Sequence, residues 1–135
     1  MSDQPRILLV DDEERFRTTL GKMLAAQGLD VTLLGSGPEA LEELKNQPYD
    51  VIILDIRMPG MDGLEALTEI KKLRPDTEVI MLSGHASVDL ALEINKRGGY
   101  DYLLKPCTLE EILLKIDAAF ERKLVREKRG LGGGG

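Results

Sequence analysis

Five short apolar runs punctuate the chain: RILLV at 6–10, DVTLL at 30–34, VIIL at 51–54, EVIML at 78–82 and YDYLL at 100–104. They are rich in Val, Ile and Leu and nearly continuous in apolar residues. Such runs suit strands buried on both faces, as in a parallel sheet. Between them the spacing becomes helical. Phe16, Leu20, Met23 and Leu24 share one face, as do Leu64, Leu67 and Ile70. Leu109, Ile112, Leu113, Ile116, Ala119 and Phe120 follow the i, i+3, i+4, i+7 pattern of an amphipathic helix.

The punctuation agrees with this reading. Gly28 stands where the first helix should end. Ser36-Gly37-Pro38 puts a proline at a helix start, where its missing N–H costs nothing. Asn46-Gln47-Pro48 closes that helix. Thr108, with Glu111 three residues on, reads as a capping box. Five strands alternating with five helices predict a doubly wound α/β domain, with helices on both faces of a parallel sheet. Five βα units are too few to close a barrel.

The tail differs. ERKLVREKRG continues the last helix with alternating charge, and GGGG closes the chain. A glycine run behaves as flexible coil. We therefore expect the domain proper over residues 5–122. Residues 123–135 read as an extended helix end and a Gly-rich tail, either a linker remnant or a cloning scar.

Composition narrows the picture. Apolar residues make up 42% of the chain, yet no uncharged run approaches the length of a membrane span. MSDQPR lacks the basic and apolar segments of a secretory signal. The one cysteine, Cys107, cannot form an internal disulfide, which suits a reducing cytoplasm. The net charge is −6, with residues 1–120 carrying −9 and the remainder +3. An acidic body is a poor match for nucleic acid phosphates, but it suits basic partners or cations.

Doubly wound sheets bind ligands beyond the carboxyl ends of their strands, where the strand order reverses. The first strand is followed there by Asp11-Asp12 and then Glu13-Glu14, the third by Asp55, the fourth by Ser83 and the fifth by Lys105-Pro106. Clustered carboxylates repel one another and call for a counter-charge. Mg2+ takes one or two carboxylates and accepts phosphate oxygens. Lys105 and the Ser83 hydroxyl could spread the charge of a phosphoryl group, and a carboxylate can attack phosphorus to give an aspartyl phosphate. Each residue also has a plainer reading. Asp11-Asp12 could cap the first helix, Asp55 could open a turn, Ser83 could be an N-cap and Lys105 could be solvated.

VDDEE, VIILDIRMPGMDG, MLSG and DYLLKP, in that order at strand ends, resemble the receiver domain of a two-component response regulator. The resemblance covers about residues 5–122. It implies a flavodoxin-like fold with strand order 2-1-3-4-5. It makes Asp55 the acceptor of a phosphoryl group from a histidine kinase phosphohistidine or a phosphotransfer protein. Asp12 becomes a direct Mg2+ ligand and Asp11 one acting mainly through water. Asp55 and the backbone carbonyl of Arg57 complete the set. Ser83 and Lys105 meet the phosphoryl oxygens, and Pro106 follows Lys105 through a cis bond. Tyr102 is the aromatic that turns inward as Ser83 moves, altering the face of the fourth helix, fifth strand and fifth helix. Arg57 and His85 flank the path of the hydrolytic water and are expected to tune phosphoryl lifetime.

The resemblance further implies a phosphoacceptor that assists its own phosphorylation and dephosphorylation and is otherwise no enzyme. The kinase would contact the first helix around Arg15 to Met23, and a homodimer could form on phosphorylation. No membrane or direct nucleic acid contact is expected of this domain. A charged helix ending in glycine reads as a receiver cut from a longer protein rather than a stand-alone one. A haloacid-dehalogenase-like phosphohydrolase would need an acid two residues after its nucleophile, where Arg57 stands. A flavodoxin would not tolerate Asp11-Asp12 against a flavin phosphate. A receiver-like scaffold that is never phosphorylated would have little use for the matching site residues.

Overall fold

The computed structural model describes residues 4–133, with side chains through Arg129. The strands are β1 (Arg6–Val10), β2 (Asp30–Leu34), β3 (Val51–Asp55), β4 (Glu78–Ser83) and β5 (Asp101–Leu104). The helices are α1 (Glu14–Ala26), α2 (Gly37–Asn46), α3 (Gly63–Leu73), α4 (Val88–Lys96) and α5 (Leu109–Gly133). All strand pairs are parallel and the order is β2-β1-β3-β4-β5. The chain moves outward from β1 to β2 and returns to β3 on the other side of β1. That reversal places the switch point between β1 and β3.

Successive side chains of a strand point to opposite faces, and this alternation builds two cores. Leu8, Val10, Ile52, Leu54, Val79 and Met81 pack with Ala40, Leu44, Leu67, Ile70 and Ile94 of α2, α3 and α4. Ile7, Leu9, Val51, Ile53, Ile80 and Leu82 pack with Leu20, Leu24, Ile112, Ile116 and Ala119 of α1 and α5.

Three expectations change in detail. Burial on both faces holds for β1, β3 and β4, whereas the edge strands are covered less. All of β2 after Asp30 is half-buried, and Leu104 of β5 is exposed. Met23 leaves the apolar face of α1 and is exposed. Gly21 sits against Leu33, so the buried arc centres on Leu20, Gly21 and Leu24 and leaves Met23 at its rim. The last helix runs to Gly133, two residues into the glycine run read as coil. Propagating an existing helix adds one hydrogen bond per residue fixed. Gly134 and Gly135 lie outside the described residues.

The charged end of α5 is tied to the body. Glu78, buried at the start of β4, pairs with Arg126 and with Arg122 at 3.6 Å. Lys123, also buried, bridges Asp50 at 3.1 Å and Glu127 at 2.7 Å. The basic tail thus neutralises acids of the body.

Caps fix the helix starts. The Thr108–Glu111 box forms with bonds of 2.9 and 3.1 Å. A second box, Asp62–Glu65, opens α3. Next to it Gly63 donates its N–H to the Ile56 carbonyl at 2.7 Å. A Cβ there would lie 2.2 Å from the Asp55 carbonyl oxygen and 2.6 Å from Ile56 Cα. Both are backbone atoms, so neither can swing away. Only glycine lets α3 start this close to the end of β3.

Gly63→Ala should therefore cost about 1–3 kcal/mol, the usual range for forced overpacking, read as a lower urea midpoint at unchanged slope. A variant as stable as wild type would show that the β3–α3 junction relaxes freely.

Candidate functional site

Four strands deliver the site. Asp11 follows β1, Asp55 and Ser83 are the last residues of β3 and β4, and Lys105 follows β5. Backbone bonds align these ends. Ile56 donates to the Leu82 carbonyl at 3.1 Å and Lys105 to the Ser83 carbonyl at 2.7 Å. The Lys105–Pro106 peptide bond is cis.

Asp11, Asp12 and Asp55 each offer a carboxylate oxygen, and these atoms lie within 4.8 Å of one another. Asp11 is fully buried, Asp55 is buried and Asp12 is exposed. The Asp11 carboxylate accepts the Glu13 N–H at 2.9 Å on one oxygen and the Lys105 ammonium at 2.9 Å on the other. Its backbone carbonyl accepts the Arg17 guanidinium at 2.7 Å. The helix-capping alternative for Asp11-Asp12 is not met: the Asp11 bond goes to the N–H of Glu13, the residue before α1, and no side chain caps that helix.

Lys105 Nζ also lies 3.2 Å from Glu13 and 3.4 Å from Asp55, and sits over the Phe16 ring at 4.3 Å. It is no solvated lysine. Ser83 is buried, and its hydroxyl donates to the His85 carbonyl at 2.6 Å while accepting the His85 N–H at 3.2 Å. The N-cap of α4 is Ser87 instead.

These groups face a cleft of about 290 Å³ lined by Asp12, Asp55, Arg57, Ser83, His85 and Lys105, among others. Tyr102 is half-buried beside a separate groove with Val88, Ala91 and Leu92. Glu13 and Phe16 are the site residues that sequence reasoning passed over. Glu13 looked like one acid of four in a row, and Phe16 like a core position of α1. Only the fold shows that both touch Lys105.

The electrostatics follow from burial. Asp55 is pushed up to about 6, first by burial and then by Asp11, with Lys105 pulling the other way. Burial disfavours the charged form of Lys105, but the hydrogen bond and charge of Asp11 outweigh it and hold its pKa above the ordinary lysine value.

The family model described as response regulator receiver domain matches residues 7–117. This chain belongs to that family. The receiver domain is 39% identical over 113 residues to the DNA-binding transcriptional regulator NtrC of Escherichia coli K12, covering 84% of this chain and 24% of that protein. A CheY-like receiver domain protein from Methanospirillum hungatei JF-1 superposes with a TM-score of 0.86 at 28% identity, covering 92% of this chain and 99% of that one. The beryllofluoride-activated NtrC4 receiver domain dimer superposes with a TM-score of 0.82 at 39% identity, covering 87% and 98%. The chain spans about a quarter of the curated relatives it matches. Receiver domains are in general signalling domains rather than catalytic ones, and they commonly use Mg2+ at an acidic pocket. Among the described residues of this receiver domain, no helix is long and apolar enough to cross a membrane.

The raised Asp55 value has a signed consequence. An acid that is easier to protonate when folded loses stability as pH rises from its unfolded value, 3.8, to its folded value, about 6. Asp55→Asn should match wild type near pH 4 and exceed it by up to about 3 kcal/mol above pH 7 without divalent cations. Urea denaturation across that range checks this. A constant difference at all pH values would contradict it.

Proposed function

We propose that Asp55 accepts a phosphoryl group from a histidine kinase phosphohistidine or a phosphotransfer protein, and that the receiver domain thereby switches its partner-binding face. The observation that carries this reading is the convergence of Asp11, Asp12 and Asp55 within 4.8 Å, with Lys105 and Ser83 on the same rim. An Asp55 oxygen attacks phosphorus in line with the donor nitrogen. The P–N bond breaks, its electron pair stays on the imidazole, and an acyl phosphate forms. Lys105 and the Ser83 hydroxyl take up charge on the transferred group. For Ser83 this means leaving the His85 carbonyl, which frees the loop ahead of α4.

The donor set is all oxygen and fits a hard cation. Asp12 and Asp55, with the Arg57 carbonyl, would hold Mg2+, and Asp11, already committed to Lys105 and the Glu13 N–H, would act through water. When bound, Mg2+ offsets the repulsion between an anionic nucleophile and an anionic phosphoryl group. Arg57 and His85, exposed in the cleft wall, tune access of water to the acyl phosphate.

Exposed apolar side chains support the output half of the reading. Val88 and Leu92 stand exposed on α4 with Tyr102 beside them, and Leu104 of β5 and Leu114 of α5 are exposed as well. A cluster of this kind marks an interaction face, here one for an effector or a second phosphorylated copy. The kinase face is α1 around Arg15 to Met23, where Met23 is exposed. Residues 5–122 form the receiver unit, and the rest of α5 continues from it. The unpaired thiol Cys107 suits the cytoplasm, and the acidic body disfavours direct nucleic acid contact.

Incubation with Mg2+ and a small phosphodonor such as phosphoramidate, followed by peptide mass spectrometry, tests the acceptor. We expect one phosphoryl group on Asp55, lost in Asp55→Asn and on chelation. An unmodified wild type would favour an inert scaffold. Arg57→Ala and His85→Ala should change the decay of phospho-Asp55 by at least about threefold, on the scale of a modest barrier change. Unchanged decay in both would remove the lifetime role.

A further inference from the structure

The Lys105 ammonium has three protons to donate, and three carboxylates surround it. Asp11 lies at 2.9 Å, Glu13 at 3.2 Å and Asp55 at 3.4 Å, with the Phe16 ring at 4.3 Å closing another side. A phosphoryl oxygen on Asp55 can gain this ammonium only if one partner yields. Asp11 yields poorly, because it is fully buried and its release would strand a charge away from water. Asp55 carries the phosphoryl group and moves with it. Glu13 is the partner with freedom to leave, since its side chain is 66% exposed. Glu13 also lines the same cleft.

We propose that Glu13 is a positioning residue that holds Lys105 in its unphosphorylated place and thereby raises the threshold for phosphoryl binding at Asp55. The inference rests on the acceptor reading of Asp55. Glu13 is not among the converging metal-ligand carboxylates. Its main effect therefore falls on the phosphoryl group, through Lys105. A solvent-exposed carboxylate at this position thereby sets the ease of switching.

The test is the affinity of the full chain for beryllofluoride at saturating Mg2+, followed by 19F NMR, alongside Mg2+ affinity measured alone. Glu13→Gln should bind beryllofluoride about two- to fivefold tighter, the size of a half-exposed ion pair, while its Mg2+ affinity stays equal or weakens. Glu13→Asp keeps the charge but falls a methylene short of Lys105, and should tighten beryllofluoride binding as well. If Glu13→Gln binds no tighter than wild type, the proposal is overturned. It is also overturned if Glu13→Asp matches wild type while Glu13→Gln tightens, since repulsion alone then accounts for the effect. A wild type that binds no beryllofluoride overturns the acceptor reading itself, and this inference with it.

Discussion

Lys105 Nζ lies within 3.4 Å of carboxylates from Asp11, Glu13 and Asp55, at the rim where β1, β3 and β5 end. Two of those acids are buried, and buried like charges resist ionising together. The ammonium is what lets them share a site. Without it Asp55 would be driven further toward protonation and would be a poor nucleophile. With it, Asp55 still sits at about 6, ionised at neutral pH but not deeply stabilised. An anion held with little to spare is well suited to attack phosphorus. The same lysine is already shared among three carboxylates, and on the proposed reading its release is part of the switch.

The frame around this contact is built from period-two strands and a few uncompromising positions. Alternating side chains of β1, β3 and β4 fill cores on both faces, so these central strands cannot slip register without exposing a whole face. Their ends are therefore fixed relative to one another, and Asp11, Asp55 and Ser83 inherit that precision. Gly63 lets α3 begin against the Asp55 carbonyl. At the opposite end of the central strands, Glu78 and Asp50 anchor the basic part of α5. That anchor ties the start of β4, the strand that ends in Ser83, to the charged part of α5.

Much of this was legible in the chain itself. Strand positions followed from runs such as VIIL, because buried parallel strands leave a continuous apolar signature. Asp11, Asp12, Asp55, Ser83 and Lys105 could be placed at one rim, since each follows a strand and the topology fixes which end binds ligand. What stayed hidden depends on side-chain reach. Glu13 lies in an acidic run whose members look alike until one of them meets Lys105. Phe16 satisfied a helical pattern and so raised no question, although it also covers a cation. Met23 fitted the same pattern yet proved exposed, because the buried arc of α1 turns toward Gly21. The pairing of Glu78 with Arg122 and Arg126 joins residues far apart in the chain, 48 positions for Arg126, and has no local signal.

The shared ammonium can be examined directly by following the Asp55 carboxyl carbon through a pH titration by 13C NMR, without divalent cations, in wild type and in Lys105→Met. A midpoint near 6 is predicted for wild type, moving higher when the lysine charge is removed. A wild-type midpoint at the ordinary carboxylate value, or one indifferent to Lys105, would contradict the view that this lysine holds the acids together.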